Sequence, residues 1–237
     1  MSFNSLVIGS GLLAKAFSNS FSNNENICIY AAGVSNSSCI DTHEFIRERQ
    51  RLSNALEHGM YAQAFVYFGT CSVNDPDVQN TAYVQHKLEM EELVSVHPSY
   101  LILRLPQVAG KTPNPHTLLN FLYACIMRSE AFSLWTKAQR NIIDVDDVSL
   151  IVRLLISDKE RRNTTINIAN PTSYTMMKIV SVMEQVVGKP AIYNEVERGS
   201  GCYINTDVIQ PLLNKLHLNF GDNYLENVID KYYEKYK

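Results

Sequence analysis

Apolar and polar positions along this chain repeat with two periods. Short apolar runs bounded by turn-forming residues read as buried strands, and apolar residues three and four apart read as amphipathic helices. The first run, over 5–8, ends at Gly9-Ser10-Gly11 and leads into a helix over 12–21. A polar turn over 22–26 precedes a strand over 27–30. Asp41 or Thr42 can cap a helix over 44–56, with Phe45, Leu52 and Leu56 as its apolar contacts. Strands over 64–68 and 100–105 flank a helix that carries Tyr83 and Lys87 and stops at Pro98. A loop over 111–115, a helix over 118–127 and a short strand over 132–135 follow. Asp146 and Asp147 can cap a helix over 148–156, and a last core strand spans 165–169. A helix begins at Ser173 and ends at Gly188, and two more helix-sized stretches lie near 208–215 and 224–236. Alternating strands and helices predict an α/β fold with a mainly parallel sheet covered on both faces.

Composition narrows the class. With 237 residues, 46% hydrophobic and 19% charged, the chain supports one sizeable core and a small appended lobe. A net charge of −3 gives no reason to expect nucleic acid or a membrane as partner. Five scattered cysteines without a CxxC pair read as reduced thiols of a cytoplasmic protein. Six scattered histidines without HExxH give no metal site. The N-terminus lacks the basic region and long apolar run of a signal peptide. No apolar run approaches the roughly 18 residues of a membrane span.

Three stretches carry chemistry. In Gly9-x-Gly11-x-x-Ala14, strand, glycine turn and helix give the context of a dinucleotide fingerprint. Gly9 permits the tight turn, Gly11 lets backbone approach a pyrophosphate, and Ala14 allows close helix–strand packing. Ser10, Leu12 and Leu13 complete this turn, whose N–H groups suit an anion. A glycine turn needed only for packing is the alternative. Thr70-Cys71-Ser72-Val73 lies at the C-terminal end of a strand, where ligands bind in open α/β sheets. Tyr83 and Lys87, four apart, share a helix face. The ammonium is expected to lower the tyrosine pKa from about 10, giving a phenol that exchanges protons near neutral pH. The spacing alone is common on amphipathic helices. Arg47, Arg49 and Arg51 alternate with polar residues and read as a solvated face.

In order, these landmarks resemble the extended short-chain dehydrogenase/reductase family, in the branch that acts on nucleotide-activated sugars. That branch includes epimerases, 4,6-dehydratases and 4-keto reductases. The resemblance spans nearly the whole chain. It adds Ala31-Ala32-Gly33, Arg104-Leu105-Pro106, Arg140-Asn-Ile-Ile-Asp144 with Asp146 and Asp147, and Arg198 to the motifs above. It implies a Rossmann-like, doubly wound sheet with a small C-terminal substrate lobe. Residues 1–110 plus about 140–170 would form the dinucleotide-binding core, and 111–139 plus 171–237 the lobe. It also implies that Thr70 bonds the substrate oxygen, with Cys71 and Ser72 beside it, and that Tyr83 is the acid/base. Lys87 would hold the nicotinamide ribose and depress the Tyr83 pKa. Ala31, Ala32, Gly33 and Pro106 would line the cofactor, NAD or NADP. Arg140 and Arg198 would meet the substrate diphosphate. A salt bridge to Asp144, Asp146 or Asp147 is the alternative for Arg140. The helices around 44–56 and 81–95 match a pair through which the family dimerises, which suggests a homodimer.

The chain also departs from the family pattern. The usual second and third strands, and the helix between them, are missing. The glycine motif is one residue shorter than TGxxGxxG, and the interval from Thr70 to Tyr83 is short. No acidic residue stands where the adenosine ribose is read, so NAD and NADP are not separated. Lys15 is either placed for a 2′-phosphate or solvent-exposed. The exposed sheet edge would need cover, for instance by a partner subunit. Cys71-Ser72 replaces the Asp-Glu pair of the dehydratases. The expectation is an NAD(P)-dependent 4-keto reductase or epimerase acting on a nucleotide sugar in surface-polysaccharide synthesis. The alternatives are a sugar-nucleotide-binding or regulatory protein without redox activity, and an NADP-dependent redox sensor. Arg140 and Arg198, suited to a diphosphate, count against the sensor.

Overall fold

The apolar runs become strands and the stretches between them helices. The computed structural model describes residues 6–18 and 26–234. The first half holds β1 (Leu6–Ile8), α1 (Leu12–Ser18), β2 (Ile27–Tyr30), α2 (Thr42–His58), β3 (Ala64–Thr70), α3 (Ala82–Ser95) and β4 (Tyr100–Leu105). The second half begins with β5 (Gln107–Ala109), α4 (Leu118–Arg128), β6 (Phe132–Trp135), β7 (Gln139–Asp144), α5 (Val145–Ser157) and β8 (Thr164–Asn167). It continues with β9 (Ser173–Thr175), α6 (Met176–Val187), β10 (Tyr193–Val196), α7 (Gln210–Leu216) and α8 (Tyr224–Tyr233). The predicted strand start at 5, the end of the first helix at 21, most of the turn over 22–26 and the helix end at 236 lie outside the described residues.

Several boundaries differ from the sequence reading. Ser173 opens a strand rather than a helix, because residues 173–175 pair antiparallel with β7. Thr175 then caps α6 by accepting from the Lys178 N–H. Asp144, not Asp146 or Asp147, caps α5. The other two carboxylates fall in its first turn, where the helix dipole favours them.

Five strands form one parallel sheet in the order β1-β2-β3-β4-β8. Alternate side chains serve opposite faces. Ile29, Val66 and Leu103 pack against Phe17 of α1, Val152 of α5 and Leu213 of α7. Tyr30, Phe65, Tyr67 and Ile102 pack against Leu52 and Leu56 of α2 and Met90 and Val94 of α3. Each such side chain, fully buried, contributes about 1.5–3 kcal/mol of hydrophobic stabilisation. β3 is buried along its whole length, as its unbroken apolar run requires.

The strands β1, β2 and β3 follow one another in the same direction, yet α1 and α2 lie on opposite faces. The β1-α1-β2 connection therefore has the opposite hand to β2-α2-β3 and β3-α3-β4. Parallel crossovers are right-handed in about 98% of cases. Helix α1 keeps the face it would occupy if the next strand lay beyond β1. Among the described residues no strand lies beyond β1, which is the sheet edge.

A third hydrophobic cluster joins α4, α6 and α8 through Leu122, Ile126, Ile179, Met183, Leu225 and Ile229. The β6–β10 pair and β5-β7-β9 border it. Leu213 of helix α7 and Ile209 just before it, within the range expected to belong to the lobe, pack on the main sheet. Helix α8 is tied to the head of α5. Tyr224 accepts from the Asp144 N–H at 2.8 Å and donates to Asp147 at 2.6 Å. Lys231 and Tyr232 both bond the Asp144 carboxylate at 2.8 Å.

Candidate active site

At the C-terminal end of β1 the chain must turn sharply under β2. Gly9 does so at φ +132°, and a Cβ there would lie 2.4 Å from the Ala31 carbonyl oxygen. A position like this admits only glycine. A Cβ at Gly11 would instead meet nothing within 4 Å, so the backbone borders open space. Ala14 is buried against the sheet.

This turn forms one wall of a cleft of about 370 Å³. Gly9, Ser10, Gly11, Leu12, Leu13, Ala31, Ala32, Gly33, Lys87 and Pro106 all line it, as do Thr70, Ser72 and Tyr83. The residues read from sequence as cofactor-binding thus come together with the candidate acid. Thr112, Asn114, His116 and Thr117 line it as well.

Thr70 closes β3 and is buried. Its Oγ1 accepts from the Ser72 N–H at 3.1 Å and so starts the 3-10 turn Cys71–Asn74. Thr81 caps α3, which brings Tyr83 into the first turn of that helix. Thr70 and Tyr83 both line the cleft. Burial pushes the Tyr83 pKa up, Glu48 pushes it further, and the Thr70 side chain opposes both. The expectation that Lys87 depresses this pKa is therefore corrected.

The reason lies beneath Lys87. Its Nζ is 3.2 Å from Glu48 Oε1 and 4.7 Å above the centroid of the Tyr67 ring. The same carboxylate accepts from Val34 N–H at 2.7 Å, Tyr67 O–H at 3.0 Å and His86 Nε2 at 3.0 Å. Burial alone would raise the Glu48 pKa, but Lys87, His86 and the Val34 N–H outweigh it and hold it at about 2. The charge on Lys87 is thus matched by a buried carboxylate. The sequence reading missed Glu48, although a signal existed. Phe45, Leu52 and Leu56 define the inward stripe of α2, and position 48 falls on it.

Other candidate residues lie apart from the cleft walls. Cys71 is buried, and its Sγ donates to the Arg104 carbonyl at 3.3 Å. Burial pushes its thiol up to about 12. Arg140 donates to the Gln139 carbonyl at 2.7 Å, while the acidic residues proposed as its partners are taken by Lys231 and Tyr224. Arg198 stacks on Trp135, its guanidinium 4.2 Å from the ring centroid. Neither arginine lines the cleft with Tyr83. The segment after Arg198 does reach the loop after Thr70, through Ser200–Asp77 at 2.9 Å and Cys202–Asn74 at 3.1 Å. Lys15 is exposed on α1. Of the three arginines read as a solvated face, Arg47 and Arg49 pair with Glu44 and Glu89, but Arg51 lines the cleft.

Solved structures share this architecture. UDP-glucuronic acid 4-epimerase from Bacillus cereus, in complex with NAD, superposes with a TM-score of 0.68 at 18% identity, over 86% of this chain and 70% of that one. The chain has the fold of the extended short-chain dehydrogenases/reductases. MoeE5 in complex with UDP-glucuronic acid and NAD gives 0.70 at 18% identity, over 94% and 81% of the two chains. RMD from Pseudomonas aeruginosa, complexed with NADPH, gives 0.67 at 13% identity, over 97% of each. No family model and no curated protein sequence matches the chain, so the likeness is one of fold. Among the described residues, no helix is long and apolar enough to cross a membrane, and no cluster of metal-ligating side chains occurs.

Proposed function

We propose that this protein is an NAD(P)-dependent oxidoreductase acting on a nucleotide-activated sugar, as a 4-keto reductase or epimerase in surface-polysaccharide synthesis. The observation that carries this reading is that Thr70, Tyr83 and Lys87 share one cleft, walled by the Gly9–Leu13 turn. The residues present fit a nicotinamide nucleotide. Gly11 leaves open space where backbone N–H groups can meet a diphosphate, and Lys87 reaches the cleft floor at Gly33. NAD or NADPH accompanies the solved structures of the same fold.

Held by the Gly9–Leu13 turn and Lys87, a nicotinamide nucleotide would supply hydride transfer to or from the sugar carbon. In the reductive direction Tyr83 gives its phenolic proton to the substrate oxygen as negative charge builds there, and Thr70 holds that oxygen. A phenol with a raised pKa stays protonated until that moment, which favours reduction. Cys71-Ser72 leaves no carboxylate beside Thr70 for a dehydration. The test is NADPH-dependent reduction of a 4-keto sugar nucleotide. Tyr83→Phe should slow turnover by about 10²- to 10⁴-fold while cofactor still binds. Unchanged turnover would rule the mechanism out.

A second reading, a sugar-nucleotide-binding protein without redox chemistry, is favoured by one observation. Among the described residues β1 is the sheet edge, without the strand that ordinarily reads the adenosine ribose. Calorimetry separates the two. Binding of UDP without binding of NAD(H) or NADP(H) supports the second.

A further inference from the structure

Glu48 is 2% exposed and takes no part in the steps above. A carboxylate leaves water at high cost unless its lone pairs are met. Here four donors meet it, and they come from three places: Val34 in the loop after β2, Tyr67 on β3, and His86 and Lys87 on α3. An ionised carboxylate only accepts, so His86 donates to it through Nε2. Glu48 therefore binds together the strand that ends in Thr70, the helix that carries Tyr83 and the loop that floors the cleft. A Cβ at Gly33 would lie 2.8 Å from Lys87 Nζ and 2.9 Å from Glu48 Oε1. The ammonium sits directly under the cleft floor, and the carboxylate keeps it there.

We propose that Glu48 is a positioning residue: it fixes Lys87 beneath Gly33 and, as a negative charge near the α3 pair, keeps Tyr83 a proton donor. This rests on the roles of Tyr83 and Lys87 proposed above. The charged and titratable groups on the elements around Tyr83 are Glu48 from α2, Lys87 and His86 from α3 and Tyr67 from β3, with the Glu91–Arg104 pair bridging α3 and β4 at 2.6 Å. The direction at Tyr83 agrees, since Glu48 follows burial as the cause that raises it. A site tuned in this way suits proton delivery and opposes a reaction that must begin with a phenolate.

The titration of Tyr83 tests this directly, followed by NMR of protein labelled with ¹³C at the tyrosine Cζ, with Tyr83→Phe assigning the resonance. In Glu48→Gln the Tyr83 signal should titrate about one pH unit or more below that of the wild type. An unchanged or higher titration overturns the proposal. Should Glu48→Gln fail to fold, Glu48→Gln/Lys87→Met is compared with Lys87→Met. The double variant should titrate at lower pH, and equality again overturns the proposal. Binding of NAD(H) or NADP(H) to the wild type reads the cofactor assignment separately. A shifted titration without cofactor binding would remove the enzyme reading and leave the effect of Glu48 on Tyr83 standing.

Discussion

Glu48 and Lys87 form the buried ion pair of the site, and pH reports on the carboxylate. The Glu48 carboxyl is depressed from 4.5 to about 2 in the fold. A depressed carboxylate gives stability that is present above the unfolded pKa and is lost as pH falls through the folded one. Urea midpoints of the wild type should thus drop between pH 4.5 and 2. Glu48→Gln, measured in parallel, should lack that part of the drop. Arg51 poses a different question. It lines the cleft and the two hollows beside it, and it has no acidic partner among the described residues. A guanidinium there suits a phosphate. Arg51→Ala should weaken NADPH by about 1.5–3 kcal/mol and NADH far less, by fluorescence titration. Equal losses for the two nucleotides would remove Arg51 from cofactor selection. Gly9, Thr70, Tyr83 and Lys87 were legible in the sequence, because each belongs to a local motif whose spacing one turn or one helix fixes. Glu48 and the cleft-lining role of Arg51 were not. Glu48 meets Lys87 across 39 residues of chain, and no local pattern announces that meeting.

Among the elements, α3 has the weakest apolar pattern relative to its burial. His86, Lys87 and Glu91 are all buried on it, satisfied by partners on α2 and β4. Hydrophobic periodicity finds such a helix but understates how much of it faces inward. β10 escaped the sequence reading for the opposite reason: apart from Tyr193 its residues are exposed, so no apolar run marks it. Helix α8 was expected, but its attachment was not. Tyr224→Phe would strip the buried Asp144 N–H of its acceptor and Asp147 of a donor. The loss should be about 1–3 kcal/mol, read from urea unfolding. An unchanged midpoint would show that the contact between α8 and α5 contributes nothing.

For the whole molecule, the parallel sheet and its helical cover followed from alternating apolar runs, and the missing strands from counting them. The reversed hand at β1-α1-β2 did not follow, since periodicity says nothing about which face a helix takes. Among the described residues β1 pairs only with β2, so one row of its backbone groups has no strand partner there. In hydrogen-exchange mass spectrometry or NMR, amides of β1 should exchange faster than those of β3, which lies between β2 and β4. Equal protection would mean that the edge is covered, as a partner subunit would do.

The strand order also bears on how the protein is made. β1 to β4 leave the ribosome in the order in which they lie side by side, so four strands can pair as soon as Leu105 emerges. One face of that nascent sheet is then dressed by α2 and α3. On the other, Leu101, Leu103 and Val66 have only α1 until α5 follows, after α4, β6 and β7 have been translated. Throughout that interval the growing chain carries an apolar surface that α1 covers only in part, as a client of chaperones does.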